Sequence, residues 1–308
     1  MDTLNLTLFI LLLLIYIVTI CGNLLIIVLV FCSKILQSPM YVFLSQLSIT
    51  DIMLTTDISP NMLSIVLHEQ TTISFSGCIT QFYFSALSLV LECFLLTVMS
   101  YDRYLAICTP LHYLAICSPL HYVSIMNHGL CIKLILVSWL LSCSVALILT
   151  LDLSQLRFCG PNTIDGFFCD FNPLMALSCS DVSVVQLAGT LLSIPVIILP
   201  FLVIVISYIF IVLTISKISS FSGRWKSFST CSSHLTVVSM YYGTLIIMYV
   251  LPNEEHSQMI TKTLALLYTV LIPCLNPFIY SLRNKDIKAA FRRSVYSKFY
   301  LHFQLKIR

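Results

Sequence analysis

The sequence predicts an all-α membrane protein, a bundle of seven transmembrane helices followed by a short amphipathic C-terminal helix. Three observations predict it. Hydrophobic residues make up 58% of the chain and charged residues 9%, with a mean hydropathy of +0.98, whereas a soluble domain carries about 25% charge. The apolar residues gather into seven runs, each long enough to cross about 30 Å of hydrocarbon. The basic residues collect on one side of the loops that seven crossings create.

The runs lie near residues 4–30, 39–64, 76–106, 128–151, 184–215, 227–251 and 260–282, bounded by polar, Pro and Gly interruptions. Helices are the economical way across, because each closes its own backbone hydrogen bonds in lipid. A membrane barrel would show segments of about ten alternating residues, and Leu8–Ile17 and Leu24–Val30 do not alternate. Only Asp2 is charged ahead of the first run, which merges into a full-length span. It therefore reads as a signal-anchor helix and not a cleaved leader. Asn5-Leu6-Thr7 is a glycosylation sequon at its edge; Asn5 is the acceptor, and an unused sequon is the alternative.

With the N-terminus outside, Lys34, Arg103, Lys133, Lys217, Arg224, Lys226 and every basic residue from Arg283 to Arg308 lie on the cytoplasmic side. Of 16 basic residues only Arg157 and Lys262 remain outside, with Glu69, Asp152, Asp165, Asp170, Asp181, Glu254 and Glu255 in the outer loops. The reverse orientation breaks the positive-inside rule. The net charge of +3 is thus a topology signal, with no pointer to nucleic acid. After the seventh run, Lys285, Lys288, Arg292, Arg293 and Lys298 interleave with Ile287, Ala290, Phe291, Val295 and Tyr296. This predicts an amphipathic helix over 285–298 lying on anionic membrane lipids; a solvated basic tail is the alternative.

The chain has 13 cysteines. Cys21, Cys93, Cys143 and Cys274 fall inside spans as small apolar residues. Cys32, Cys108, Cys117, Cys131 and Cys231 fall on the reducing side. Cys78, Cys159, Cys169 and Cys179 are left for the oxidising side, where four cysteines allow three complete pairings. A bridge from Cys78, at the start of the third span, to the long loop 152–183 would pin that loop over the bundle. We expect Cys78–Cys169 with Cys159–Cys179. The ten-residue spacings in the loop suit a compact zinc site poorly, and no metal is expected there.

Polar groups inside the spans are few, and in lipid such groups are costly and tend to be functional. Asn23, Asp51, Glu92 and Asn276 lie one per span at mid-to-inner depth, which suggests convergence in the bundle interior. Two carboxylates meeting there need a cation or a shared proton. A Na+ or a protonated carboxyl at Asp51 and Glu92 is one expectation, and mutual hydrogen bonding as packing glue is the other.

Several motifs at the span ends go further. They are Gly22-Asn23; Pro39-Met40-Tyr41-Val42-Phe43-Leu44-Ser45; Met99-Ser100-Tyr101-Asp102-Arg103-Tyr104-Leu105-Ala106-Ile107-Cys108; and Ser207-Tyr208. To these are added Lys226-Ser227-Phe228-Ser229-Thr230-Cys231-Ser232-Ser233-His234-Leu235 and Pro273-Cys274-Leu275-Asn276-Pro277-Phe278-Ile279-Tyr280-Ser281-Leu282-Arg283-Asn284. In this order they make nearly the whole chain resemble the odorant receptors of the rhodopsin-like G-protein-coupled class. The three-cysteine outer loop, with Phe158-Cys159-Gly160-Pro161-Asn162 and Phe168-Cys169-Asp170, favours the odorant branch.

The resemblance implies an activation switch. Asp102 would hold Arg103 at rest, beside Tyr104, and release it toward a heterotrimeric G protein on activation, a charge pair exchanged for another partner in a second state. Asn276-Pro277 would weaken the seventh helix, because proline removes an internal hydrogen bond. Tyr280 would then move between two packings, with Tyr208 as its active-state partner. The output would be that of the stimulatory olfactory type, a rise in cyclic AMP. Tyr241-Tyr242-Gly243 looks like the family's aromatic switch below the ligand.

Ligands of such bundles sit between helices in mostly apolar pockets. By position, Ser85, Ala86, Leu89 and Val90 on the third helix, Ile194 and Ile197 on the fifth, and Tyr242 and Ile246 on the sixth are the candidate ligand-binding residues. For each, core or lipid-facing packing is the alternative. No ionic residue lies in these outer half-spans, so the ligand is expected to be a small, uncharged, largely apolar, volatile organic molecule. Asp57 as an amine anchor is a weaker alternative.

Two features depart from the family. Leu105–Tyr113 reads LAICTPLHY and Leu114–Tyr122 reads LAICSPLHY, a tandem copy differing only at Thr109 and Ser118. Continued helix would add about 13.5 Å and half a turn of face, but Pro110 disfavours helix just before it. The expectation is that the first copy keeps its usual place and the second extends the inner loop, impairing coupling through segment 105–122. The segment ahead of the first span is also shorter than the family's, which predicts weaker surface delivery. An enzyme is not expected. His68, His112, His121 and His234 read as structural, and no nucleophile–base pair, phosphate loop or cofactor motif appears. A transporter or channel is the remote alternative, as inverted repeats and paired helix breaks are lacking.

Overall fold

A computed structural model of the chain describes residues 3–68, 71–112, 122, 125–159, 163–250 and 258–293. Most of the second tandem copy, Glu254, Glu255 and everything from Ser294 onward lie outside the described residues. Among those described, the regular elements are helical. α1 spans Thr3–Cys32, α2 Pro39–His68, α3 Phe75–His112 and α4 His128–Ser154. α5 runs over Ser183–Ser216. α6 covers Phe221–Leu245 and continues in a wide turn, Ile246–Val250. α7 comprises Gln258–Leu266, a wide turn Leu267–Leu271, and Ile272–Arg283. α8, over 285–293, follows Asn284, whose side chain accepts from the amides of Asp286 and Ile287 and caps it.

The burial pattern is inverted relative to a water-soluble domain. Leu14, Ile17 and Val28 of α1 and Ile206, Ile209 and Val212 of α5 face outward. Thr19, Asn23, Ser45, Ser48, Asp51, Thr55, Glu92 and Asn276 are buried. This is what hydrocarbon selects, since polar groups find partners only inside the bundle. Among the described residues, five helices are long and apolar enough to cross a membrane by length and composition: Thr3–Cys32, Phe75–Cys108, His128–Ser154, Ser183–Ser216 and Met259–Ser281. α2 and α6 carry more polar residues and join the same bundle, with α2 turning Ser45, Ser48, Asp51 and Thr55 toward its interior.

α3 is the central helix, packed against α2, α4 and α5, while α1 lies against α2 and α7. The α1–α7 contact depends on Gly22. A Cβ there would come within 3.1 Å of the Pro277 ring, so the glycine permits the close approach that sets Asn23 opposite α7.

Among the described residues, three wide turns break the helical regularity of α5, α6 and α7, in the halves toward the long loop. Two have a local cause. In α5 the Leu199 amide reaches back five residues to Ile194 O, and in α7 the Ile272 amide reaches Leu267 O. Pro200 and Pro273 come next in each case. A proline in a regular helix collides with the carbonyl four residues back, and the extra residue moves that carbonyl aside.

The first tandem copy corrects the expectation drawn from Pro110. α3 continues as helix through Cys108 to His112. The restriction on a residue preceding proline is a preference. A helix already held over eight turns by tertiary packing absorbs one lost hydrogen bond more cheaply than it would at an isolated end.

Over the outer face, Cys78 is bonded to Cys169 and Cys159 to Cys179, with Cα separations of 5.5 and 6.0 Å. Phe158 pairs with Ser178 in an antiparallel bridge beside the second bond. Gln81 reinforces the first. Its amide nitrogen donates to Asp57 O at 3.0 Å, and its carbonyl accepts from the Cys169 amide at 3.0 Å. Lys262 of α7 ion-pairs with Asp165 of the loop. A short loop helix, Phe171–Ala176, capped by Asp170, lies beneath this clamp.

Candidate functional site

Two regions on opposite halves of α3 carry concave or polar features. The outer one is a cavity of about 300 Å³ under the disulfide-held loop, at the small end of the range for ligand pockets. Ser85, Ala86, Leu89 and Val90 of α3 and Ile197 of α5 line it. Ile194 does not, because the wide turn that begins there swings it outward, 53% exposed. Tyr242 and Ile246 face a different concavity, between α5 and α6. Asp57 does not reach the cavity either.

Position along the spans missed the loop's contribution to this wall. Phe171, Asn172 and Met175 come from the loop helix, with Gln186, Gly189, Thr190 and Ser193 from α5. Phe171 lies stacked near Phe82, ring centres 6.3 Å apart. A Cβ at Gly189 would stand 2.7 Å from the Phe171 ring, so that glycine admits the ring to the wall. The one acidic residue at the rim, Asp170, is a loop residue and uses Oδ1 to accept from the Phe171 amide at 2.8 Å.

Below the cavity, α6 is tied to α3 by two tyrosines. Tyr241 donates to Leu89 O at 2.7 Å and Tyr242 to Cys93 O at 3.1 Å. One turn deeper, Asn276 donates to both oxygens of Asp51, at 3.2 and 3.0 Å. Asn23 donates to Pro273 O and Thr19 O, each at 3.1 Å. The four polar residues are all buried in the bundle interior, Glu92 included. Both Glu92 oxygens, Asn23 Oδ1, Asn276 Oδ1, Ser88 Oγ and the Tyr280 hydroxyl are buried there without a hydrogen-bond partner of good geometry.

At the inner end, Arg103 donates to Asp102 Oδ2 from Nη2 at 2.6 Å and from Nε at 3.2 Å. The other oxygen, Oδ1, accepts from the Tyr122 hydroxyl at 2.6 Å. Tyr122 is the last residue of the second tandem copy. Burial first, and the Asp102 charge second, push its phenol above the usual range. Tyr104 packs edge-on to Phe210 of α5. Tyr208 is hydrogen-bonded to His234 Nδ1 at 2.8 Å and not to Tyr280. The His234 Nε2 donates to Leu96 O at 3.1 Å; with Nε2 thus carrying the proton, Nδ1 accepts from Tyr208. His234 therefore staples α3, α5 and α6, a role its reading as a lone structural histidine did not reach. Its signal was its place among the spans: a fully buried imidazole needs partners for both nitrogens.

Such a molecule, with a ligand-sized cavity at one end of a seven-helix bundle and a buried Asp102–Arg103 ion pair at the other, has the build of a seven-helix receptor. The family model for olfactory receptors matches residues 12–298, and the chain belongs to that family. Human olfactory receptor 11L1 is 47% identical over 93% of this chain and 86% of its own length. Human olfactory receptor 1J4 is 48% identical over 90% and 86%. Rat olfactory receptor 1468 is 44% identical over 92% and 87%. Membership makes the chain a multi-pass plasma-membrane receptor coupled to G proteins and responsive to odorants, and not an enzyme.

Proposed function

We propose that this receptor binds a small, uncharged, largely apolar volatile molecule in the outer cavity and drives a stimulatory G protein, raising cyclic AMP. The N-terminus lies outside and the C-terminus inside, with α8 on anionic lipid; the rest of the expected helix, 294–298, lies outside the described residues. The carrying observation is one helix, α3, which lines the cavity with Ser85, Ala86, Leu89 and Val90 and holds the ion pair of Asp102 and Arg103. Ser85, Asn172, Gln186, Thr190 and Ser193 supply hydrogen-bonding groups to an otherwise apolar wall, which suits a ligand with one polar function. Movement of α6 away from the Tyr241, Tyr242 and His234 ties would free Tyr208 to meet Tyr280 and Arg103 to leave Asp102. The test is cyclic-AMP output against an odorant panel, with surface staining in parallel. A ligand-dependent rise that Ser85→Leu and Gly189→Val abolish supports the reading. A rise indifferent to both substitutions overturns the assignment of the cavity.

Asp51 and Glu92 fit a small hard cation, since such ions take carboxylate and carbonyl oxygens and the buried oxygens of Glu92 and Asn276 Oδ1 have no other partner. We assign the site to Na+, with a shared proton as the alternative. Thermal stability that rises with NaCl but not with choline chloride, and loses this dependence in Glu92→Gln, supports the ion.

A second reading is favoured by the course of α3. Helix through His112 takes up the first copy as far as its penultimate residue, and the second copy supplies the Tyr122 that holds Asp102. The product then keeps the fold and couples poorly. Deletion of Leu114–Tyr122 restores signalling in that case and leaves it unchanged otherwise.

A further inference from the structure

A second concavity, of about 680 Å³, runs along the seam between α5 and α6 and opens sideways out of the bundle. Its α5 wall extends from Phe201 through Tyr208 to Leu213, and its α6 wall from Leu235 through Ser239 to Ile246. Val205, Ile209, Val212 and Leu213 stand exposed at its lip, so the medium at its mouth is hydrocarbon. Two of its polar groups are already engaged: the Tyr208 hydroxyl with His234 and the Tyr242 hydroxyl with Cys93 O. Gly243 leaves the floor deep, because a Cβ there meets nothing within 4 Å.

The length and the ends of the groove define an occupant. Phe201 to Leu213 is thirteen residues, about 18 Å of helix from first to last, against about 15 Å for one leaflet of the hydrocarbon core. The groove therefore accommodates one extended acyl chain. Lys217 follows Leu213 by four residues and so lies on the same face of α5. Arg224 precedes Leu235 by eleven residues, three turns, and so shares its face of α6. Both cations are exposed, and among the described residues neither is in an ion pair. Phe221 and Trp225 are exposed beside them, as aromatic residues are at a membrane–water interface.

We propose that this groove is a binding site for an anionic phospholipid of the cytoplasmic leaflet, with one acyl chain between α5 and α6 and its headgroup phosphate on Lys217 and Arg224. The leaflet rests on the orientation proposed above; the chemistry of the site does not. The bound chain lies along Tyr208 on the seam that α6 must open, so its occupancy opposes or supports that movement directly. A sterol fits the end chemistry less well, as its hydroxyl brings no charge to two cations.

The full chain in nanodiscs, with lipid of the same composition in both leaflets, tests this independently of orientation and signalling. The probes are trace photoreactive phosphatidylserine and photoreactive phosphatidylcholine, with labelled peptides mapped by mass spectrometry. The expected result is several-fold more phosphatidylserine label on Phe201–Leu213 and Leu235–Ile246 than on the lipid faces of α1 and α4. The phosphatidylcholine probe is expected to show little such preference. Gly243→Leu, whose Cβ meets nothing within 4 Å, fills the groove and reduces the label there several-fold, with an unchanged thermal melt as the folding control. The double variant Lys217→Gln, Arg224→Gln equalises the two probes. Even labelling of all lipid faces, no preference between probes, indifference to Gly243→Leu, or displacement of the label by cholesterol at equal concentration would each overturn the proposal.

Discussion

Asp102 has two carboxylate oxygens, one held by Arg103 and the other by Tyr122. It is fully buried, so its charge is tolerated only while both partners stay. A hydrogen bond to a charged group is worth about 1.5–3 kcal/mol. Tyr122→Phe should therefore loosen the resting latch and raise basal cyclic AMP several-fold, whereas Tyr113→Phe should leave it near wild type. Equal effects of the two, in a reporter assay matched for surface expression, would count against Tyr122 as the tether. The latch pair itself was legible in Asp102-Arg103-Tyr104, but Tyr122 was not. Two copies that differ only at Thr109 and Ser118 give no sequence signal for which tyrosine reaches the carboxylate, and only the fold selects. A similar limit applies to Gly189. Helical position nominated side chains that point inward, and a residue with no side chain is invisible to that argument. Gly189→Ala should force the Phe171 ring into the cavity and shift responses toward shorter ligands of a homologous series, read as relative potency.

Among the elements, helices lie where the apolar runs are, because lipid would impose a nearly context-free rule on them. The inner continuation of α3 and the wide turns of α5 and α7 could not be read from those runs. The Pro110 argument weighed a local preference, and the outcome was decided by a helix already nucleated and packed far upstream. The wide turns depend on where Pro200 and Pro273 fall relative to neighbouring helices, which no single run records. They also explain why Ile194 left the cavity wall while Ile197 stayed. Replacing Pro200 with alanine restores an amide that a regular helix can use. The expected outcome is a regularised α5, with one residue fewer in its outer turns and a rotated outer wall. Loss of odorant response with unchanged surface expression would accord with that. An unaltered response profile would show that the turn is held by tertiary contacts and not by the proline.

At the scale of the whole molecule, the outer cavity exists because a loop is held down over the helix ends. Cys78–Cys169 ties that loop to α3 across 91 residues of sequence, whereas Cys159–Cys179 closes only 20 within the loop. The cysteine count left three pairings open, and burial decides between their effects: Cys78 and Cys169 lie inside a packed cluster with Phe82, Leu153 and Leu174. Chain-entropy arguments give about 4–5 kcal/mol for the longer closure and about 3 kcal/mol for the shorter. In a membrane the difference narrows, because the helices inside the longer loop stay formed when tertiary packing is lost. What remains is where each bond acts. Cys78→Ser with Cys169→Ser releases the loop helix bearing Phe171 from the cavity, and is expected to lower thermal stability and abolish odorant response together. Cys159→Ser with Cys179→Ser frees only the strap beyond it, so stability should fall less and the response should persist at reduced potency. Equal losses from both pairs, at matched surface levels, would mean that the loop acts as one rigid lid and that the α3 tether has no special hold on the cavity.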